Sequence, residues 1–231
     1  MQNEKILVLG SKPDAKLPKL DFKKIYAANG AASRFFLYKK KYKKTKFICV
    51  TSKKNFEKNP DVRERIIKSK PDRLYVRFGK IDFPKKLKNC KFDFIDSVNQ
   101  LHFQKKFFKF NYLSLILGEF FYKESLYRKF KRFLKLFNED NFQGISTGFY
   151  AILLAIEENP KSKIIVSGIG LSGGGHFYKS QRSKKYNYDA RSAVDRYLIK
   201  FLFKKFKKKI LSVDNDFIEF SNVKKYNQKF F

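Results

Sequence analysis

The chain has 231 residues, enough for one sizeable core, and its 43% hydrophobic content with only 11 Gly and 6 Pro excludes a collagen-like chain, a Gly/Ser linker and a disordered polymer. With 53 Lys and Arg against 21 Asp and Glu the formal net charge is +32, so anionic partners are expected: nucleic acid, an anionic membrane face or a phosphorylated substrate. Lysine and phenylalanine are used all along the chain, with 28 Phe and no Trp, which reads equally well as a global compositional background.

Residues 5–9, Lys-Ile-Leu-Val-Leu, form a short apolar run ended by Gly10 and Pro13, and predict a buried strand opening into a loop. Further strands are predicted over 24–28, closed by Asn29-Gly30, and over 46–50, closed by Thr51-Ser52 with helix-like polar sequence after it. Residues 74–78 and 92–95 add two more. From Phe107 to Phe137 the spacing turns helical: Leu126, Phe130, Phe133, Leu134 and Phe137 share one stripe, with Arg128, Lys129, Lys131, Arg132 and Lys135 off it. Such a basic amphipathic helix suits packing on a core or contact with an anionic membrane.

Gly144 to Gly148 lead into an apolar helix over 149–158, with Ser146 or Thr147 as its N-cap. Residues 163–171 are the clearest core strand, because both faces are apolar, and Ser172-Gly173-Gly174-Gly175 end it in a loop. A polar stretch over 179–189 precedes a helix over 190–205, and 208–213 supply a last strand. Strand and helix alternate, which predicts an α/β fold over 1–231 with a mostly parallel sheet flanked by helices.

Cys49 and Cys90 lack the spacing of a zinc or redox pair and fit a reducing compartment. Residues 1–10 lack the basic and long apolar segments of a secretory signal. The densest apolar stretch, 112–121, contains Glu119 and is too short to span a bilayer. A cytoplasmic chain is expected, with peripheral contact at the inner membrane face as an option.

In an open α/β sheet the binding crevice lies beyond the carboxyl ends of the strands, which here carry Gly10-Ser11, Asn29-Gly30, Thr51-Ser52 and Ser172 to Gly175. There is no GxGxxG, P-loop, GxSxG, HExxH or kinase signature. Of the two histidines, His102 sits in a plain Leu-His-Phe context, whereas His176 follows three glycines at the end of the best core strand, where a general base can reach a substrate. The alternative for His176 is a loop imidazole bonded to nearby backbone.

Several segments together resemble the bacterial sialyltransferases of glycosyltransferase family 42: Ile-Leu-Val-Leu-Gly-Ser-Lys-Pro at 6–13, Ala28-Asn29-Gly30, Ile145-Ser146-Thr147-Gly148-Phe149-Tyr150, Ser167-Gly168-Ile169 and Tyr178. The resemblance implies a single Rossmann-like domain that binds CMP-sialic acid without a metal or cofactor, with a lid-like segment at about 173–190. It also implies a glycan or lipid-linked glycan acceptor, as in lipooligosaccharide or capsule biosynthesis, and attachment to the inner membrane face. Gly10 and Ser11 would meet the nucleotide phosphate, Asn29 and Thr51 the donor, and Ser146, Thr147 and Gly148 the sugar carboxylate. Tyr178 would bond the leaving phosphate, while Ser172 stands where a second such tyrosine is expected. The family places its base His before the helix that here begins near Ala190, where this chain has Tyr188-Asp189-Ala190-Arg191. Either His176 or Asp189 then serves as the catalytic base, or the reaction follows a different course.

Asp214-Asn215-Asp216 fits the DxD pattern of some metal-dependent glycosyltransferases, but reads as a polar turn beyond the donor-binding strand ends. Two other functions stay open. One is a CMP-Kdo transferase in which Asp189 attacks the donor, as in retaining enzymes. The other is a basic RNA-binding protein whose rings stack on bases, although no RNA-binding motif is present and no specific nucleic-acid partner is expected. The oligomeric state is open.

Overall fold

A computed structural model describes residues 4–108, 145–171, 176–177, 190–227 and 229–231. Eight strands form one sheet: β1 Lys5–Leu9, β2 Lys24–Ala28, β3 Lys46–Ser52, β4 Arg73–Arg77, β5 Lys91–Ile95, β6 Lys163–Ser167, β7 Ile210–Ser212 and β8 Lys224–Lys225. Their order is β5-β4-β3-β2-β1-β6-β7-β8, and every neighbouring pair is parallel. The described helices are α1 Phe35–Lys39, α2 Lys53–Lys58, α3 Pro60–Ser69, α4 Ser97–Lys105, α5 Thr147–Glu158, α6 Ala190–Phe206 and α7 Asn215–Ser221. This is one α/β domain of Rossmann-like architecture.

The central strands are apolar on both faces because each face is covered. In β1, Ile6 and Val8 pack into one core layer and Leu7 and Leu9 into the other, all with no exposure. β6 divides likewise, Ile164 and Val166 on one side and Ile165 on the other. Helix α5 lies across β1, β2, β3 and β6, which is why it is apolar nearly all round, with Leu153 wholly enclosed. Truncating such a residue to Ala costs about 2–5 kcal/mol. The opposite face is covered by α3 and the 3-10 turn Asn29–Arg34. At the edges the pattern changes: β5 alternates with Asp93 and a largely exposed Phe94, and β8 is two exposed lysines, a charged rim that resists edge-to-edge pairing.

The strand predicted over 163–171 stops at Ser167, because Gly168 turns to φ +75°. The polar sequence after Ser52 is two helices, divided where Asn59 caps α3 and Pro60 takes its first position. Helices α1, α4 and α7 and strand β8 have no counterpart in the sequence expectations. The predicted helix over Phe107 to Phe137 lies outside the described residues beyond Phe108. The lid-like segment 173–190 also lies outside them, apart from His176, Phe177 and Ala190. Among the described residues no helix is long and apolar enough to cross a membrane.

Candidate functional site

From β1 the sheet grows one way through β2 to β5 and the other way through β6 to β8, so the strand order reverses at the carboxyl ends of β1 and β6, where open α/β sheets place their binding crevice. There the two backbones touch. The Gly10 amide donates to the Ser167 carbonyl at 2.7 Å and the Lys12 amide to the Gly168 carbonyl at 2.9 Å. A Cβ on Gly10 would lie 2.0 Å from the Gly168 oxygen, so only glycine fits this approach.

Arg34, from the turn after β2, fixes the outgoing loop: its Nη1 donates to the Gly10 carbonyl at 2.9 Å and its Nη2 to the Lys12 carbonyl at 2.7 Å. The guanidinium is almost enclosed; burial pulls its pKa below the ordinary arginine value, while Asp214, Tyr38 and Asp14 act the other way. Its other face stacks on the Phe177 ring at 4.4 Å, and Arg65 approaches the same ring at 5.4 Å. The Phe177 amide donates to the Ser11 carbonyl at 3.0 Å. Held in this way, His176 brings Nδ1 into a hydrogen bond with the Ser11 hydroxyl, across 165 positions of sequence. When Nδ1 carries the proton and donates to the hydroxyl, Nε2 is the basic nitrogen.

A second set of residues follows β7, at the start of α7. Asp214 is buried and accepts from the Gly168 amide at 2.7 Å; burial, reinforced by Asp216, pushes its carboxyl up to about 7 against the pull of that amide and of Lys12. Asp216 accepts from the Leu171 amide at 3.2 Å and from Lys12 Nζ at 3.2 Å. Burial lowers the Lys12 pKa, but Asp216 outweighs it and holds the ammonium above its usual value. The expectation that 214–216 lie beyond the donor-binding strand ends is therefore corrected. β7 pairs with β6, which carries both carboxylates to the loop after β6. Among the described residues no group of three or more His, Cys, Asp or Glu side chains could hold a metal ion.

Helix α5 begins as expected, with the Ser146 hydroxyl accepting from the Phe149 amide at 3.1 Å. Gly148 packs 3.4 Å (to a notional Cβ) from Ile169 of the loop after β6, so this helix end borders the crevice. The N–H groups of Thr147 and Gly148 are donors that the helix itself does not use, although the Thr147 side chain is buried. The Ser146 amide is taken at 2.9 Å by the buried carboxylate of Asp195 on α6. Arg77, fully buried at the end of β4, donates to the Ile145 carbonyl at 3.0 Å and to Gln100 at 2.7 Å, and so ties this helix entry to the far half of the sheet.

Asn29 adopts φ +52° at the end of β2, and its side-chain oxygen accepts from the Thr51 hydroxyl at 3.0 Å. Thr51 has no exposed surface, so it acts on a ligand only through Asn29. Ser172, Tyr178 and Asp189 lie outside the described residues. His102 is exposed on α4. Thus Gly10, Ser11 and His176 come together, Asn29 and Thr51 form a separate pair, and Ser146 to Gly148 stand at the neighbouring helix end.

Lys12, Arg34, Phe177, Asp195, Asp214 and Asp216 were not foreseen as site residues. Arg34 falls in a turn that reads as unstructured sequence, and Asp195 is one acid in a basic helix. Only Asp214-Asn215-Asp216, directly after a predicted strand, carried a signal, since strand ends are where ligands bind. Comparison with protein-family models, with curated proteins and with solved structures found no match to this chain.

Proposed function

We propose that this chain is a glycosyltransferase that moves sialic acid or a related nonulosonate from a CMP-activated donor to a glycan or lipid-linked glycan acceptor, without a metal. The observation that carries the reading is the Ser11–His176 contact at the point where the strand order reverses, which joins a phosphate-side loop to a candidate base. In an inverting transfer the acceptor oxygen bonds to the anomeric carbon as the bond from that carbon to the phosphate oxygen breaks. The acceptor proton passes to His176 Nε2, and CMP leaves with its charge increased. The N–H groups at the start of α5 and the positive end of its dipole favour an anionic donor there. Tyr178 and Ser172 are the donors assigned to the leaving phosphate, and the basic surface suits a cytoplasmic enzyme at an anionic membrane face.

The test is donor turnover with CMP-sialic acid, CMP-Kdo and several UDP-sugars, each with and without EDTA. The expected result is turnover of a CMP-linked nonulosonate that survives EDTA, with His176→Ala still binding CMP but about a hundredfold to ten-thousandfold slower in kcat. No turnover of any CMP-sugar, or activity lost in EDTA and restored by Mn²⁺ or Mg²⁺, overturns the proposal. A glycosyl-enzyme trapped on Asp189 would move the reaction to a retaining CMP-Kdo-type transfer.

A further inference from the structure

The amino-terminal edge of the sheet, opposite the crevice, holds a cavity of about 630 Å³ walled by six lysines: Lys106, Lys204, Lys205, Lys207, Lys208 and Lys209. They come from two distant parts of the chain, the end of α4 and the passage from the last turn of α6 into β7. Phe107, Ile156 and Pro160 supply apolar wall, with Phe206 at 6.1 Å from Phe107 between ring centres. The size lies within the range of small-ligand sites.

Part of this charge has a local use. Helices α4, α5 and α6 all end here, and each C-terminus carries about half a negative charge that cations stabilise. Lys209 serves this purpose, donating to the carbonyls of Ile156 at 3.3 Å and Pro160 at 3.0 Å. Lys106 pairs with Glu157 at 2.9 Å. Three helix ends and the one carboxylate in the wall neutralise less than half of six ammonium groups. Lys204, Lys205, Lys207 and Lys208 remain exposed around the cavity, within one stretch of five residues, where their mutual repulsion opposes folding unless an anion relieves it. A similar cavity of about 670 Å³ beside α3 carries a smaller excess, since there Arg63, Lys68, Lys70 and Lys86 face Glu64, which sits 2.6 Å from Lys68.

We infer that this cavity is a second anion site, binding a compact, multiply charged phosphate group. Phosphate chemistry fits best because several ammonium groups arranged around one concavity match a ligand that concentrates several negative charges, which a single carboxylate does not. The site stands on its own residues and shares none with the crevice, so it holds or fails independently of the proposed transferase activity.

Calorimetric titration of the full chain with inorganic tripolyphosphate tests the inference. One saturable site is expected, weakened by up to roughly a hundredfold in Lys204→Glu/Lys207→Glu/Lys208→Glu, because each exposed charge pair contributes up to a factor of about five. Lys40→Glu/Lys43→Glu/Lys44→Glu changes the net charge equally at exposed residues that do not line the cavity and should stay within about threefold of the parent. Lys204→Gln/Lys207→Gln/Lys208→Gln, which avoids charge reversal, should show a smaller loss in the same direction. Phosphatidylcholine vesicles carrying a bisphosphorylated inositol lipid distinguish the source: displacement of tripolyphosphate by them assigns a lipid headgroup, and no displacement assigns a soluble polyphosphate. Absence of saturable binding, or equal weakening in the cavity and remote variants, overturns the inference. Single-stranded oligonucleotides that bind more tightly with length and resist tripolyphosphate overturn it in favour of nucleic acid.

Discussion

Gly10→Ala is the sharpest probe of the crevice, because the added methyl has nowhere to go. It would sit 2.0 Å from the Gly168 oxygen, 2.4 Å from the Gly168 carbonyl carbon and 2.7 Å from Ile169 Cγ1, and two of these are backbone atoms that no rotamer change can move. The loops after β1 and β6 must separate by more than 1 Å to reach ordinary contact, on the order of a bond length. That separation breaks the bonds from the Gly10 amide to Ser167 and from the Lys12 amide to Gly168, each worth about 1 kcal/mol. Overpacking adds about 1–3 kcal/mol, so the substitution should cost about 3–5 kcal/mol. For a chain of this length each kcal/mol lowers Tm by about 2–4 °C, which gives a fall of roughly 6–20 °C in a thermal melt. Gly148→Ala is the matched control: its Cβ would meet only Ile169 side-chain atoms, at 3.4–3.5 Å, and stability should stay within about 1 kcal/mol. If Gly10→Ala melts with the parent, or Gly148→Ala loses as much, the close approach of the two loops is wrong.

Other variants separate the parts of the site. The Asp214 carboxyl is raised to about 7, so the folded chain holds a proton that the unfolded chain releases; the contribution of this group to stability is fully present below about pH 4 and is lost, by at most ~4 kcal/mol, as the pH climbs from there through about 7. Asp214→Asn should flatten that slope in melts across this range, and an unchanged slope rejects the assignment. Ser146→Ala removes the N-cap of α5 and should cost ~1 kcal/mol in urea unfolding; no loss would mean the cap is not formed in solution. Ser11→Ala frees the His176 ring from the hydroxyl that orients it, so kcat should drop by roughly tenfold with a displaced pH profile and little change in CMP affinity. A Ser11→Ala variant that loses CMP affinity alone would instead assign Ser11 to the phosphate.

What could be read from the amino-acid order was what depends on short range. Apolar runs such as Ile6 to Leu9 and Ile164 to Val166 announced two-sided strands because each residue must be buried whichever face it takes. Ser146 was legible as a cap because its partner amide is three residues away. Arg34, Arg77 and Asp195 were not legible, since their roles are set by carbonyls and amides 22 to 68 positions distant. A buried arginine looks like any other in a chain with 53 basic residues. Thr51 shows the complementary failure: a polar residue at a strand end suggests ligand contact, yet full burial turns it toward Asn29.

The two edges of the sheet treat positive charge differently, and this bears on what the net charge does. At the carboxyl edge the cations are tied down: Lys12 is held by Asp216 at 3.2 Å, and Arg34 spends its guanidinium on the Gly10 and Lys12 carbonyls with Asp214 near it. Such groups cannot swing toward an incoming anion without breaking buried bonds, so their contribution is a fixed geometry that holds Ser11 and His176 in register. At the amino edge, beside α6 and β7, the lysines outnumber the acids, and Lys204, Lys205, Lys207 and Lys208 are exposed. A field of +32 can draw any anion to the surface, and that attraction alone does not choose among anions. If the proposed donor binds at the carboxyl edge, the Gly10–Gly168 contact, the Arg34 clamp and the first turn of α5 are the fixed groups against which one anion would be told from another.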